Sequence, residues 1–387
     1  MASLVVILVV FPLILRSYAR RVAAGRGGAP DKVHRIKRAQ MAVLLALPVL
    51  EVVMLAEAYG ESRVLVPHRA GLLAGHGHAI IAVGAVLAFF AVFVGGTMLC
   101  YLATYPATAR IRGLPRQTGR AGKRQARMLV VILAPQLIWV TAWSALHALH
   151  GAAELAVLPV WIALMVAIVV FTPMLIRALL PTKPVEDGLR QRLLQFASEH
   201  KVKIRDVRCL DAGPEQTANA MVMGLLPTVR YVFITDRLLR DLEPAELDAV
   251  LAHELGHAKK HHLLIKLAAA LVAWLPIAGL VAVAAVLGGH RSPALIAAWI
   301  ILVMILATAS LLVVQGVVGV RLERSADDYA CATVSADALR RGLEKLAAAN
   351  ATKRRTGLAW NLLTQHPGLD QRIERLRQAS THPRPVR

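Results

Sequence analysis

Seven stretches of this chain are apolar for long enough to cross a bilayer, and no other feature limits its fold as much. They lie near Ala2–Tyr18, Met41–Tyr59, Ala79–Thr104, Met128–Leu149, Leu155–Leu180, Leu263–Leu287 and Ala294–Val320. A transmembrane helix needs about 20 such residues. With 57% of its 387 residues hydrophobic and a mean hydropathy of +0.55, the chain carries more apolar surface than a soluble domain of this size can bury. The first stretch is short, but its basic residues begin at Arg16, after the apolar core. A signal peptide has them before it, so a retained helix is expected.

A net charge of +21 on a soluble domain would suggest nucleic acid, so its location decides the reading. Arg16, Arg20, Arg21, Arg26, Lys32, Arg35, Lys37 and Arg38 fall between the first two stretches. Arg110, Arg112, Arg116, Arg120, Lys123, Arg124 and Arg127 fall between the third and fourth, while the alternate connections carry only Arg63, Arg69 and Arg291. Positive loops stay in the cytoplasm. The N-terminus is therefore expected outside, and the hydrophilic segments Pro181–His262 and Arg321–Arg387 are expected together in the cytoplasm. Anionic lipid headgroups suit the juxtamembrane Arg and Lys, and no nucleic-acid role is expected. Cys100, Cys209 and Cys331 cannot all pair and lack the spacing of a thiolate zinc site.

After Pro181 and Pro184 the pattern becomes mixed. Glu186–His200 has helical periodicity, and Val202–Leu210, Ala218–Met223 and Val229–Ile234 read as short strands with a turn at Gly224–Pro227. Pro244, with Glu243 and Glu246, marks a helix start. The spacing predicts a helix from there towards His262 that feeds directly into the sixth apolar stretch. Leu339–Ala349 and Leu369–Gln378 read as amphipathic helices.

The predicted helix contains Leu251-Ala-His-Glu-Leu-Gly-His257, an H-E-x-x-H motif. Residues four apart share a helix face, so His253 and His257 can present imidazole nitrogens to one zinc ion. Glu254 borders the metal without joining the pair, where it can act as general base on a water molecule. A catalytic zinc needs a third protein ligand. The candidates lie in Arg321-Leu-Glu-Arg-Ser-Ala-Asp-Asp-Tyr329, where Glu323 and Asp327 are again four apart. One can ligate while the other accepts a hydrogen bond from a ligand histidine. Spacing alone leaves Asp327 or Asp328 open as the ligand.

His253–His257 followed by Glu323-x-x-x-Asp327 after two further spans resembles the membrane gluzincins: the seven-helix CaaX prenyl proteases and their relatives, including the HtpX heat-shock proteases. The resemblance implies Glu323 as the third ligand of one zinc per chain and Asp327 as the support of a ligand histidine. Asn219-Ala220 resembles the family's substrate-binding edge strand. His366-Pro-Gly-Leu-Asp-Gln-Arg372 resembles its C-terminal element, whose His and Arg support the transition state. Seven spans favour the CaaX-protease-like branch.

The expectation is thus a mainly α-helical polytopic membrane protein, with about seven transmembrane helices and a cytoplasmic α+β zincin-like metalloprotease domain. Residues 1–180 would hold five helices and 181–262 the first part of the catalytic domain. Helices six and seven would occupy 263–320, and 321–387 would complete the site. The expected activity is a zinc endopeptidase, either CaaX-prenyl-protease-like or acting in membrane-protein quality control. Its partners would be peptide or protein substrates, membrane-associated or prenylated. A sensor-transducer zincin that cleaves a dedicated regulatory target is the alternative, and a pseudoenzyme is disfavoured because Glu254 is present.

His76, His78, His147, His150, His261, His262 and His290 sit at span ends or in loops and take no role in this reading. Glu51, within the second stretch, would face a cavity or a buried hydrogen bond. The Gly119-Arg-Ala-Gly-Lys123 stretch lacks the context of a phosphate loop.

Overall fold

The computed structural model describes residues 2–65, 76–147, 154–287, 293–365 and 367–381. Long apolar runs become helices because a helix satisfies its backbone groups internally. Apart from an end residue or two, each of the seven expected runs falls on one helix: α1 (Ser3–Ala24, with a π stretch at Val6–Val10), α2 (Ala29–Leu65), α3 (His76–Ile111), α4 (Thr118–His147), α5 (Glu154–Leu179), α9 (His262–Leu287) and α10 (Pro293–Thr333). Among the described residues, Ser3–Ala24, Leu87–Ile111 and Ile301–Thr333 are long and apolar enough to cross a membrane, and Val166–Leu179 and His262–Trp274 are shorter apolar helices.

Two compact units divide the chain. One comprises Met1–Gly27, Arg35–Thr172 and Leu287–Met304. Its described core includes Ala19, Val22, Ile36 and Ala107, residues small or branched enough for close helix contact. The other unit comprises Gly28–His34, Pro173–Val286 and Ile305–Arg387.

This second unit is built on a four-stranded sheet ordered β1 (Thr182–Pro184), β2 (Asp206–Leu210), β4 (Tyr231–Thr235), β3 (Ala220–Met223). The β2–β4 pair is parallel and the outer pairs are antiparallel. The three expected strands form, shorter than predicted. β1 is a fourth strand that the sequence pattern does not mark. As an edge strand it tolerates Pro184 without losing an interior ladder bond. The β3–β4 turn needs Gly224, whose φ is +121° and whose Cβ, if present, would lie 2.6 Å from Arg230 Cα. Arg230 clamps the turn by donating to the carbonyls of Gly224, Leu225 and Lys203.

Val207, Val232 and Ile234 of the sheet pack with Leu193 of α6 (Asp187–Glu199) and with Leu247, Leu251 and Leu255 of α8 (Pro244–Lys259). Another face of α8, at Ala249 and Ala252, meets Leu339 and Leu343 of α11 (Ala336–Ala349) and Leu376 of α13 (Leu369–Thr381). Apolar contact on two faces fixes the rotation of α8. Truncating a side chain as buried as Leu251, 1% exposed, costs about 2–5 kcal/mol in such a core. The start of α8 is held by a capping box between Glu243 and Glu246, and Lys345 reaches the buried Glu246 at 2.7 Å.

One expectation needs correcting here. α8 does not feed into the sixth stretch: it ends at Lys259, His261 takes a left-handed φ of 53°, and α9 starts at His262. Between α11 and α13 lies a further helix, α12 (Leu358–Thr364), whose seven residues are too few to show a helical period in the sequence. The short helix α7 (Asp236–Asp241), capped by the Thr235 hydroxyl, links the sheet to α8.

Candidate active site

Because α8 is locked by its core contacts, His253 and His257 point the same way, with their Nε2 atoms 3.3 Å apart. Helix α10 brings Glu323 opposite them, Oε2 at 3.7 Å from His253 Nε2 and Oε1 at 3.6 Å from His257 Nε2. Ligand atoms about 2.0–2.1 Å from a tetrahedral zinc ion lie about 3.3–3.4 Å apart, so this donor set fits the ion's size and its preference for nitrogen and oxygen. His253, His257 and Glu323 form a group able to hold a metal ion. Gly256 permits the approach of the two helices, since a Cβ there would fall 3.1 Å from Tyr329 Cδ1 and 3.3 Å from Ala326 Cα. A larger residue would push Glu323 away from the histidines.

The acids that spacing left open separate in space. Asp327 Oδ1 lies 2.9 Å from His253 Nδ1, behind the metal-facing nitrogen, and Asp328 turns to Arg375 at 2.5 Å. Arg372 on α13 grips Asp327 with Nε at 3.0 Å and Nη2 at 2.6 Å, and its Nη1 is 3.4 Å from Glu323 Oε2. Arg372 therefore braces both carboxylates. His366 lies outside the described residues.

Glu254 Oε2 accepts a hydrogen bond from the backbone N–H of Val222 at 3.2 Å. In an antiparallel ladder, bonded and non-bonded pairs alternate. Asn219 bonds Thr235, which leaves Ala220 and Val222 with backbone groups facing away from β4. The sheet's outer edge thus runs along the Glu254 carboxylate. Asn219 is exposed at its start and donates its N–H to the Thr235 hydroxyl, and Ala220 follows it.

Burial pushes the Glu254 carboxyl above its ordinary range, against the pull of His253 and the Val222 N–H. Burial also opposes the charge on Asp327, yet Arg372 and His253 bring its pKa down to about 2. For His253, burial works against protonation, but the bond to Asp327 outweighs it and the pKa rises. His257 falls to about 3, first through burial and then through His253. His262 falls to about 4, through burial and then Lys260. Both rings are neutral near pH 7, the form that a metal ligand requires.

Sequence reasoning missed the contribution of Val222, which is a backbone effect, and the position of His262, which is 2% exposed with Nδ1 2.9 Å from His257 Nδ1. Of the other unassigned histidines, His150 and His290 lie outside the described residues.

Residues 186–380 match the model of the family described as Peptidase family M48. A protein named "Protease HtpX homolog" from Syntrophobacter fumaroxidans is 31% identical over 193 residues, covering 42% of this chain and 67% of that protein. A second of that name, from Desulforapulum autotrophicum, is 31% identical over 217 residues, covering 49% and 67%. The crystal structure of S. mikatae Ste24p shares the fold, with a TM-score of 0.61 at 14% identity, over 97% of this chain and 99% of that one.

Proposed function

The chain belongs to peptidase family M48 and is a membrane metalloprotease, and from that premise we propose that it is a zinc-dependent endopeptidase working at the cytoplasmic membrane surface. The observation that carries the proposal is the convergence of His253, His257 and Glu323 next to the buried Glu254. These three residues would hold zinc, which supplies Lewis-acid chemistry towards the scissile carbonyl and water when bound.

The rest of the reaction falls to the chain's own groups. Substrate would lie as an added strand along the outer edge of β3, with Asn219 and Ala220 at its start. Glu254, held by the Val222 N–H, takes the proton of the attacking water and returns it to the leaving amine. A carboxyl raised by burial is the stronger base for this task. Asp327 orients His253, and Arg372 keeps Asp327 and Glu323 in register. We assign His366 to the oxyanion that develops at the carbonyl, the role that the resemblance of His366–Arg372 to the family's C-terminal element implies.

The basic loops support a topology of seven spans, with the N-terminus outside and the site inside. Contacts within the second unit agree on one compartment. Asp31, between the first two runs, pairs with Lys353 at 3.0 Å, and His34 meets Trp360 edge-on, ring centres 4.6 Å apart. Substrates would be polypeptides presented at the membrane, prenylated ones in a CaaX-type role or unassembled membrane proteins in quality control.

The test is zinc content and peptidase rate on the same detergent-purified preparations. Glu323→Ala should lose both, and retention of both would sink the three-residue site. Reporter fusions at Gln191 and Ala379 should both read cytoplasmic and one at Arg69 external; opposite readings for the first two would sink the topology.

A further inference from the structure

Each metal-facing histidine has a second ring nitrogen, and its partner decides which way the ring turns and which nitrogen keeps its proton. For His253 that partner is Asp327. For His257 that partner is Nδ1 of His262, at 2.9 Å, with ring centres 4.9 Å apart and planes at 82°. From this we infer that His262 is the positioning residue of His257: its Nδ1 accepts the His257 Nδ1–H and leaves Nε2 unprotonated, aimed at Glu323 and His253. The inference rests on the reading that His253, His257 and Glu323 hold zinc.

The backbone is shaped for this contact. On an unbroken helix a residue five places after His257 would be rotated about 140° from it, on a different face. The chain prevents that. α8 stops at Lys259, His261 enters the left-handed region with φ 53°, and α9 restarts at His262, turning that ring back onto His257. A left-handed backbone is unfavourable for a non-glycine residue, and the break is locked by Lys260, which donates to the carbonyl and hydroxyl of Ser325 at 2.9 Å each. His262 is almost fully buried there.

The hydrogen-bond roles follow from metal binding. An imidazole that ligates through Nε2 carries its proton on Nδ1 and must donate it. His262 can accept only through an unprotonated Nδ1, so its own proton sits on Nε2. A carbonyl oxygen on the same Cγ would take the place of that Nδ1, which makes Asn the conservative replacement and Phe the one that fills the space without an acceptor.

Zinc affinity is measured by chelator competition on the purified full chain, for the parent, His257→Ala, His262→Phe and His262→Asn, beside peptidase rate. His262→Phe should weaken zinc binding about 10–100-fold, the usual cost of losing a partner of a metal-bound histidine, and His262→Asn should restore it to within a few fold. Parent-like zinc affinity in His262→Phe overturns the inference. So does an Asn variant as weak as the Phe variant, because the ring's packing and not its acceptor would then matter. If His257→Ala keeps zinc, the metal-site reading itself fails; if it loses zinc while His262→Phe does not, only the role of His262 fails.

Discussion

Helix α8, with His253, Glu254 and His257, and the C-terminal bracket of Glu323, Asp327 and Arg372 build one site by different means. The helix is held by apolar burial on two faces and by its capping box. The bracket is held by charge: one guanidinium spans two carboxylates that are 3% and 2% exposed. Packing at Leu247, Ala249, Val250, Leu251, Ala252 and Leu255 fixes where the helix's side chains start. The bracket joins α10 to α13 across 45 residues of sequence and depends on opposite charges that are costly to bury apart. Variants on the two sides should therefore fail differently.

The largest effect is expected at Glu254, where chemistry and metal binding part company. Glu254→Gln keeps size and polarity but cannot accept the proton. Turnover should fall about 10²–10⁴-fold while zinc stays near stoichiometric. Loss of zinc in this variant would move Glu254 into the metal's own ligand set and erase the distinction between helix and bracket.

On the bracket side, Asp327→Ala should weaken zinc binding about 10–100-fold, measured by chelator competition, with turnover at saturating zinc less affected. An unchanged affinity would mean that packing alone orients His253. The bracket would then be ornamental to the metal.

Stability should respond to pH with opposite signs on the two sides. Asp327 is depressed from 3.8 to about 2, so its contribution is present above about pH 4 and is lost as pH falls through 2. The shift corresponds to roughly 2 kcal/mol, and Asp327→Asn should flatten the acid-unfolding curve in that window. Glu254 is raised, so in the zinc-free protein its charged form opposes folding once pH exceeds its folded value. Glu254→Gln should therefore unfold at a higher temperature than the parent near neutral pH. A lower unfolding temperature would contradict the assigned sign.

The smallest effect concerns Val222. Its N–H points away from β4, so Val222→Pro removes no ladder bond but deletes the donor to Glu254. That donor favours the charged carboxylate. The acidic limb of the kcat/KM profile should move upward by about a pH unit or less, and an unmoved limb would show that Val222 does not tune the base.

What the sequence determined on its own was whatever short range enforces. A span follows from a run of apolar residues, and a shared face for His253 and His257 follows from four-residue spacing on one helix. The capping residues Glu243, Pro244 and Glu246 marked the start of that helix for the same reason. Tertiary structure decided what spacing left open. Glu323 and Asp327 lie four apart, a distance that serves either role, and only the approach of α10 at Gly256 put one carboxylate before the histidines and the other behind His253. Arg372 was named only through the resemblance, as a support of the transition state, and its clamp on both acids came from the fold, while Asp328 was removed from the site by its pairing with Arg375. His262 was hidden for the opposite reason. Helical periodicity carries it to another face, and one left-handed residue at His261, which no local pattern announces, returns it to His257.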